Sequence, residues 1–194
     1  MSIATHLIDR SESVLIIVDV QDTFLAKLDA AVAADVVARI RWLVLVAKWL
    51  KIPIVVTAEE IESDGFTNQA IREVLPPETT EFDKWTFGLA AQADILNAVQ
   101  ATNKRTAILV GLETDVCVQH SAFGLIELGY QVAVVVDATA AKSPGYEIGL
   151  GRMAGAGVAR VSCKSLLFEW LRDLNTTHDF FRNSGIKPPV GLDL

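Results

Sequence analysis

The chain of 194 residues has little cysteine, only two residues, and little histidine, only three. Two cysteines cannot build a disulfide framework, which points to a reducing compartment and a cytoplasmic protein. The histidines, His6, His120 and His178, lie far apart in sequence, so a histidine-rich metal site is not expected. Hydrophobic residues make up 51% of the chain. Even so, no uninterrupted run approaches the roughly 18–20 apolar residues of a membrane span. The opening "MSIATHLIDRSES" lacks a basic region followed by an apolar core, so no secretory signal is expected. Basic charge is short as well: 17 Lys and Arg stand against 24 Asp and Glu, for a net charge of −7, and the basic residues are scattered. That argues against a nucleic-acid surface. Internal repeats, low-complexity segments and composition shifts are missing too, and the length suits one well-cored domain over 1–194.

What the chain does have is short apolar runs separated by helix-length spacers. "VLIIVD" (14–19), "IPIVVT" (52–57), "RTAILVG" (105–111) and "YQVAVVVDA" (130–138) are apolar on both alternating positions. Strands read this way are covered on both faces, as in a parallel sheet. "TTEFDK" (79–84) and "VARVSC" (158–163) are weaker strand candidates. Helical patterns fall at about 28–50, 66–74, 88–101, 115–128, 145–156 and 164–174, with Gly129 closing one of them. The alternation predicts an α/β fold, a three-layer α/β/α sandwich around a mostly parallel six-stranded sheet. Residues 184–194 lack periodicity and read as an extended tail, reaching a neighbouring subunit or strapping its own.

In open parallel sheets, sites form beyond the carboxyl ends of the strands. Three reactive residues stand there: Asp19 after the first strand, Lys84 at the third and Cys117 shortly after the fourth. "ETDVCV" opens a helix with Thr114 or Asp115 as the cap, which puts Cys117 in the positive field of a first turn. With a lysine nearby, such a thiol is expected to be acidic. A buried core cysteine fits the same pattern equally well. Asp19 could cap the turn "VQDTF", although Asp22 suits that role better, and Lys84 sits between aromatics in "FDKWTFG".

"VDVQDTF", "FDKWTFG" and "GLETDVCVQHSAFGLIELGYQVAVVVDA" together resemble the isochorismatase-like cysteine hydrolases, in order and spacing over most of 14–138. The resemblance implies that fold and an Asp–Lys–Cys triad. Asp19 would be the general base, Lys84 the charge partner and Cys117 a nucleophile that forms a thioester during cleavage of a small C–N (amide-type) bond. It also implies a cis peptide at Leu112–Glu113, with the N–H groups of Glu113 and Cys117 receiving the oxyanion. Gln21, Phe24, Trp85, Phe87 and His120 are the expected substrate contacts. The expected partners are a small-molecule substrate and further copies of the chain in a homo-oligomer, with no nucleic acid and no membrane.

The nicotinamidase branch of this family resembles a metal enzyme with an Asp-x-His pair after strand 2. Here that stretch is "TAEEIESDGF", without histidine, and Glu59, Glu60, Glu62 and Asp64 read as a solvated acidic loop. No metal and no cofactor are expected. "GLGRMA" (149–154) fits a dinucleotide fingerprint but lies inside a helical segment, where close helix packing is the better reading. Cys163 reads as a core thiol. Two other functions remain open. One is isochorismatase-type vinyl-ether hydrolysis, which needs no thiol; the other is a non-catalytic binding or redox module built on a reactive cysteine.

Overall fold

The computed structural model describes residues 7–194. His6 and the start of the N-terminal stretch lie outside the described residues. Six strands form one sheet in the order β3-β2-β1-β4-β5-β6, and every pairing in it is parallel. They are β1 (Ser13–Val18), β2 (Ile54–Glu59), β3 (Glu81–Lys84), β4 (Thr106–Leu112), β5 (Gln131–Ala140) and β6 (Ala159–Val161). The helices are α1 (Asp22–Leu25), α2 (Ala30–Trp49), α3 (Ile61–Asp64), α4 (Gln69–Arg72), α5 (Ala93–Ala101), α6 (Gln119–Glu127), α7 (Gly145–Gly155), α8 (Cys163–Leu171) and α9 (Leu174–Asn183).

The apolar runs become strands because both of their faces are covered. In β1, Val14, Ile16 and Val18 join one core cluster, while Leu15 and Ile17 join the other. The first cluster packs against Ile95 and Val99 of α5, Leu125 of α6 and Met153 of α7. The second packs against α2, α8 and α9. Helix α2 turns Val36, Ile40, Leu43 and Ala47 inward, the spacing of one helical face. Two covered sheet faces make the three-layer α/β/α sandwich.

Several details differ from the expected elements. β2 starts and ends two residues later than "IPIVVT", so its last residue is Glu59. The pattern at 158–163 forms a strand only over Ala159–Val161, and Cys163 begins α8 instead of ending β6. α9 was not expected. It is a polar helix started by Asp173, whose carboxylate accepts from Thr176 N–H, and anchored by buried Phe180. α6 ends at Gly129, as expected, with Tyr130 N–H on Leu125 O at 3.0 Å. The segment 184–194 lies against its own chain: Leu192 is buried with the α2 cluster, and Gly191 O accepts from Arg39 at 3.5 Å.

β5 bulges, and so bends, where its register with β4 shifts between Leu109 and Gly111. Gly111 has φ +119, and a Cβ there would collide with the Val18 carbonyl of β1. Only glycine combines that torsion with that approach. Gly111→Ala should therefore lower the unfolding free energy by about 2–4 kcal/mol. Gly151→Ala in α7, where a Cβ meets nothing within 4 Å, should change it by no more than about 1 kcal/mol. Urea titration of the two variants makes the comparison, and equal effects would contradict this account of Gly111.

Candidate active site

The strand order reverses between β1 and β4, the place where a crevice opens at the carboxyl edge of an open sheet. Asp19 leaves β1 there with φ 49 and no exposed surface. One carboxylate oxygen, Oδ1, accepts from Thr57 Oγ1 of β2 at 2.8 Å, and the other, Oδ2, lies 2.9 Å from Lys84 Nζ. Lys84 ends β3, two strands from β1, so its long side chain must cross β2 to reach Asp19. Its ammonium, also fully buried, donates to Thr86 O at 2.7 Å and to Glu59 Oε2 at 3.1 Å. Cys117 Sγ is 3.7 Å from the same ammonium. Asp19, Lys84 and Cys117 therefore converge on one point from three strand ends.

Cys117 sits in a π-helical turn, Thr114–Val118, that runs straight into α6. The expected caps do other work. Thr114 Oγ1 bonds Thr139 Oγ1 at 2.9 Å, and Asp115 abuts Gly145 at the start of α7. The turn instead follows extended Glu113, which makes no side-chain cap bond. A Cβ on Gly149 would lie 2.9 Å from Asp115 Cα, so the "GLGRMA" segment serves close packing of α7 on this turn. The Leu112–Glu113 peptide is cis.

The electrostatics depart from expectation. Burial pushes the Cys117 thiol far above its usual value, and Asp19 and Glu59 add to the rise while Lys84 opposes it. Burial likewise raises Asp19, against the pull of Lys84. Burial alone would lower Lys84, but the charge of Asp19, joined by that of Glu59, outweighs it and holds the ammonium above its ordinary value. The resting thiol is thus protonated, and the acidic cysteine expected from helix start and lysine is not what this site contains. Burial is the main cause and Asp19 the next, and a second carboxylate adds to both. Glu59 Oε2 accepts from Cys117 Sγ at 3.1 Å, so the sulfur faces two acids and one ammonium.

Glu59 is the residue that sequence reasoning missed, having been read into a solvated loop. It is the last residue of β2, paired in register with Lys84. Gln21, expected to bind substrate, holds it there instead. Its amide accepts from Glu59 N–H at 2.7 Å and donates to the carbonyls of Glu59 and Gly65, each at 2.7 Å. Asp19, Glu59 and Cys117 form the only metal-capable cluster among the described residues, with ligand atoms within 4.8 Å of one another. The Lys84 ammonium already lies against all three.

The other expected contacts are less buried than Asp19, Lys84 and Cys117. Trp85 and Phe87, just past Lys84, are 65% and 56% exposed. His120 is exposed and tilts against Phe87, ring centroids 5.9 Å apart, instead of hydrogen-bonding the thiol. Phe24 is half-buried against the α2 core, with the Lys27 ammonium 4.4 Å over its ring and 3.6 Å from Glu113.

The isochorismatase-domain family model matches residues 13–164. The chain belongs to the isochorismatase family. Isochorismatase family protein 2B of Dictyostelium discoideum is 33% identical over 178 residues, which cover 86% of this chain and 80% of that protein. Among solved structures, the chain is similar to the YcaC gene product from Escherichia coli, an octameric hydrolase of unknown specificity. That likeness has a TM-score of 0.81 at 22% identity, over 89% of this chain and 85% of the other. N-carbamoylsarcosine amidase from Thermoplasma acidophilum is similar with a TM-score of 0.66 at 22% identity, over 78% and 96%. Among the described residues of this isochorismatase-family chain, no helix is long and apolar enough to cross a membrane.

Two measurements check the electrostatics. Cys163, buried beside Asp137, is raised like Cys117. A raised thiol holds its proton more tightly folded than unfolded, so its contribution to stability is full below the unfolded value of about 8.5 and is lost at higher pH. The urea midpoint should fall between about pH 8 and pH 10, and the Cys117→Ala/Cys163→Ala double variant should flatten that fall. Separately, Lys84→Met removes the one charge that pulls the thiol down, so iodoacetamide should label Cys117 still more slowly at any given pH. Faster labelling would mean that the ammonium does not act on the sulfur.

Proposed function

We propose that this isochorismatase-family hydrolase cleaves a C–N bond of a small amide-type molecule through a thioester on Cys117. Asp19 serves as a general base and Lys84 as the charge partner. The observation that carries the reading is the Lys84 ammonium, 2.9 Å from Asp19 and 3.7 Å from the Cys117 sulfur, at the carboxyl edge of the sheet. A sulfur in that place can add to a carbonyl only if its proton has an acceptor, and the buried carboxylates supply one. The N–H groups of Glu113 and Cys117 are the proposed oxyanion donors. Trp85, Phe87, His120 and Phe24 are the side chains proposed to contact the substrate. The likeness to N-carbamoylsarcosine amidase agrees with C–N cleavage.

The reaction needs no metal in this reading, because the ammonium takes the position among the acidic groups that a cation would take. The net charge of −7 favours a small molecule over nucleic acid as the substrate. The octameric state of the YcaC gene product supports a homo-oligomer, and two free buried cysteines suit a reducing cytoplasm. Vinyl-ether hydrolysis leaves the thiol without a role. A redox module calls for an accessible thiolate, whereas this sulfur is 5% exposed and protonated.

Small amides and carbamoyl compounds, screened beside isochorismate, provide the test. Cys117→Ala should reduce turnover by about a thousandfold or more, and stalled wild-type enzyme should carry an acyl adduct on Cys117 by mass spectrometry. Exhaustive chelation should leave the rate unchanged. Activity that survives Cys117→Ala, or that is lost to chelation and restored by zinc, would defeat the proposal.

A further inference from the structure

The Glu59 carboxylate meets both reactive groups of the site: Oε2 lies 3.1 Å from the Cys117 sulfur and 3.1 Å from the Lys84 ammonium. Its placement is built rather than incidental. The Gln21 amide grips its backbone on both sides, and the β2–β3 register sets it beside Lys84. The two carboxylates around the ammonium also differ in access. Asp19 is fully enclosed, with its oxygens on Thr57 and Lys84, whereas the Glu59 side chain is 20% exposed. Glu59 is therefore the more accessible of the two acids around the sulfur and ammonium.

We infer that Glu59 is a catalytic residue, which takes the Cys117 proton as sulfur attacks and hands it to the departing nitrogen. The inference rests on the hydrolase reading above and moves its proton transfers from the enclosed Asp19, which holds Lys84, to Glu59. As the Sγ–C bond forms, the S–H proton passes to Glu59 Oε2 and the carbonyl π pair becomes the oxyanion. The oxyanion then re-forms the carbonyl, the C–N bond breaks, and the nitrogen leaves with the proton from Glu59. Water then takes the place of the nitrogen, adds to the thioester and gives a proton to Glu59; the Sγ–C bond breaks and the thiolate recovers that proton. One amide and one water become one acid and one amine, and both carboxylates end as they began. Until a substrate arrives, the same Glu59 charge disfavours the thiolate. The other charged groups facing the sulfur are Asp19 from β1 and Lys84 from β3.

Glu59→Gln in the full-length protein separates the two effects, because they have opposite signs. Loss of the nearest negative charge should speed iodoacetamide labelling of Cys117 at neutral pH by about tenfold or more. Loss of the proton carrier should slow amide turnover by about 100-fold or more. A merely structural loosening would expose Cys117 and speed labelling by the same factor at every pH, whereas removal of the charge should move the pH profile of labelling to lower pH. Buried Cys163, staying unlabelled in the same digest, reports that the fold is intact. Glu59→Asp keeps the charge but withdraws it by one methylene, so turnover should fall without faster labelling. Labelling of Glu59→Gln that is unchanged or slower, or turnover within about threefold of wild type, would overturn the inference. If the wild type cleaves no amide at all, the hydrolase reading fails by itself. The labelling arm then still decides whether Glu59 governs the thiol.

Discussion

The ammonium of Lys84 has no exposed surface. An isolated buried cation of this kind costs several kcal/mol, and only close partners can offset that. Here Asp19 arrives from the end of β1, Glu59 from the end of β2 and the Thr86 carbonyl from just beyond β3. The partners bind each other's supports as well: Thr57 of β2 holds Asp19, and Gln21, two residues past Asp19, holds Glu59. The charge thus ties together the carboxyl ends of three neighbouring strands. Shifting any of those ends would leave a buried charge short of a partner, so the geometry of the site and the stability of that edge are one problem.

Cys117 is brought to this charge from the opposite side, by an arrangement that relies on backbone packing more than on ionic contact. Gly111 lets β4 pass under the Val18 carbonyl, and Gly149 lets α7 close on the turn that carries the sulfur. Thr139 of β5 ties the two, donating to Gly111 O at 2.7 Å while its oxygen meets Thr114 at 2.9 Å. The acid–ammonium half and the thiol half meet across β1 and β4, where the strand order reverses. This division explains why residues so distant in sequence can act on one bond.

Much of this was legible in the residues. Four apolar runs mark β1, β2, β4 and β5 because burial on both faces leaves a signature that no helix spacer shares, β3 and β6 show only as weaker candidates, and Asp19, Lys84 and Cys117 stand out as reactive groups near strand ends. α9 was harder to read, since Phe180 is its main buried anchor in an otherwise polar helix. The decisive miss was a boundary. Placing the end of β2 at Thr57 puts Glu59 in a loop, where an acidic residue is solvated and dull. Placing it at Glu59 puts the same residue at the sheet's functional edge, beside Lys84. A local pattern cannot resolve two residues at a strand end, because pairing with β1 and β3 sets the limit and pairing is not written locally.

The raised thiol has burial as its first cause and Asp19 as its second, and Glu59 adds to both. A helix start and one lysine both favour a thiolate, and with Asp19 as the single acid the charges would balance. With Glu59 included, two carboxylates surround one ammonium, and a third negative charge on sulfur would add repulsion without a new counter-charge. Burial works in the same direction. In the proposed thioester route the thiolate would therefore form only as its charge is leaving, while sulfur bonds to carbon and the negative charge moves to the carbonyl oxygen. A site arranged in this way keeps its nucleophile quiet toward adventitious oxidants and electrophiles, and makes it reactive only toward a bound carbonyl whose oxygen has donors waiting.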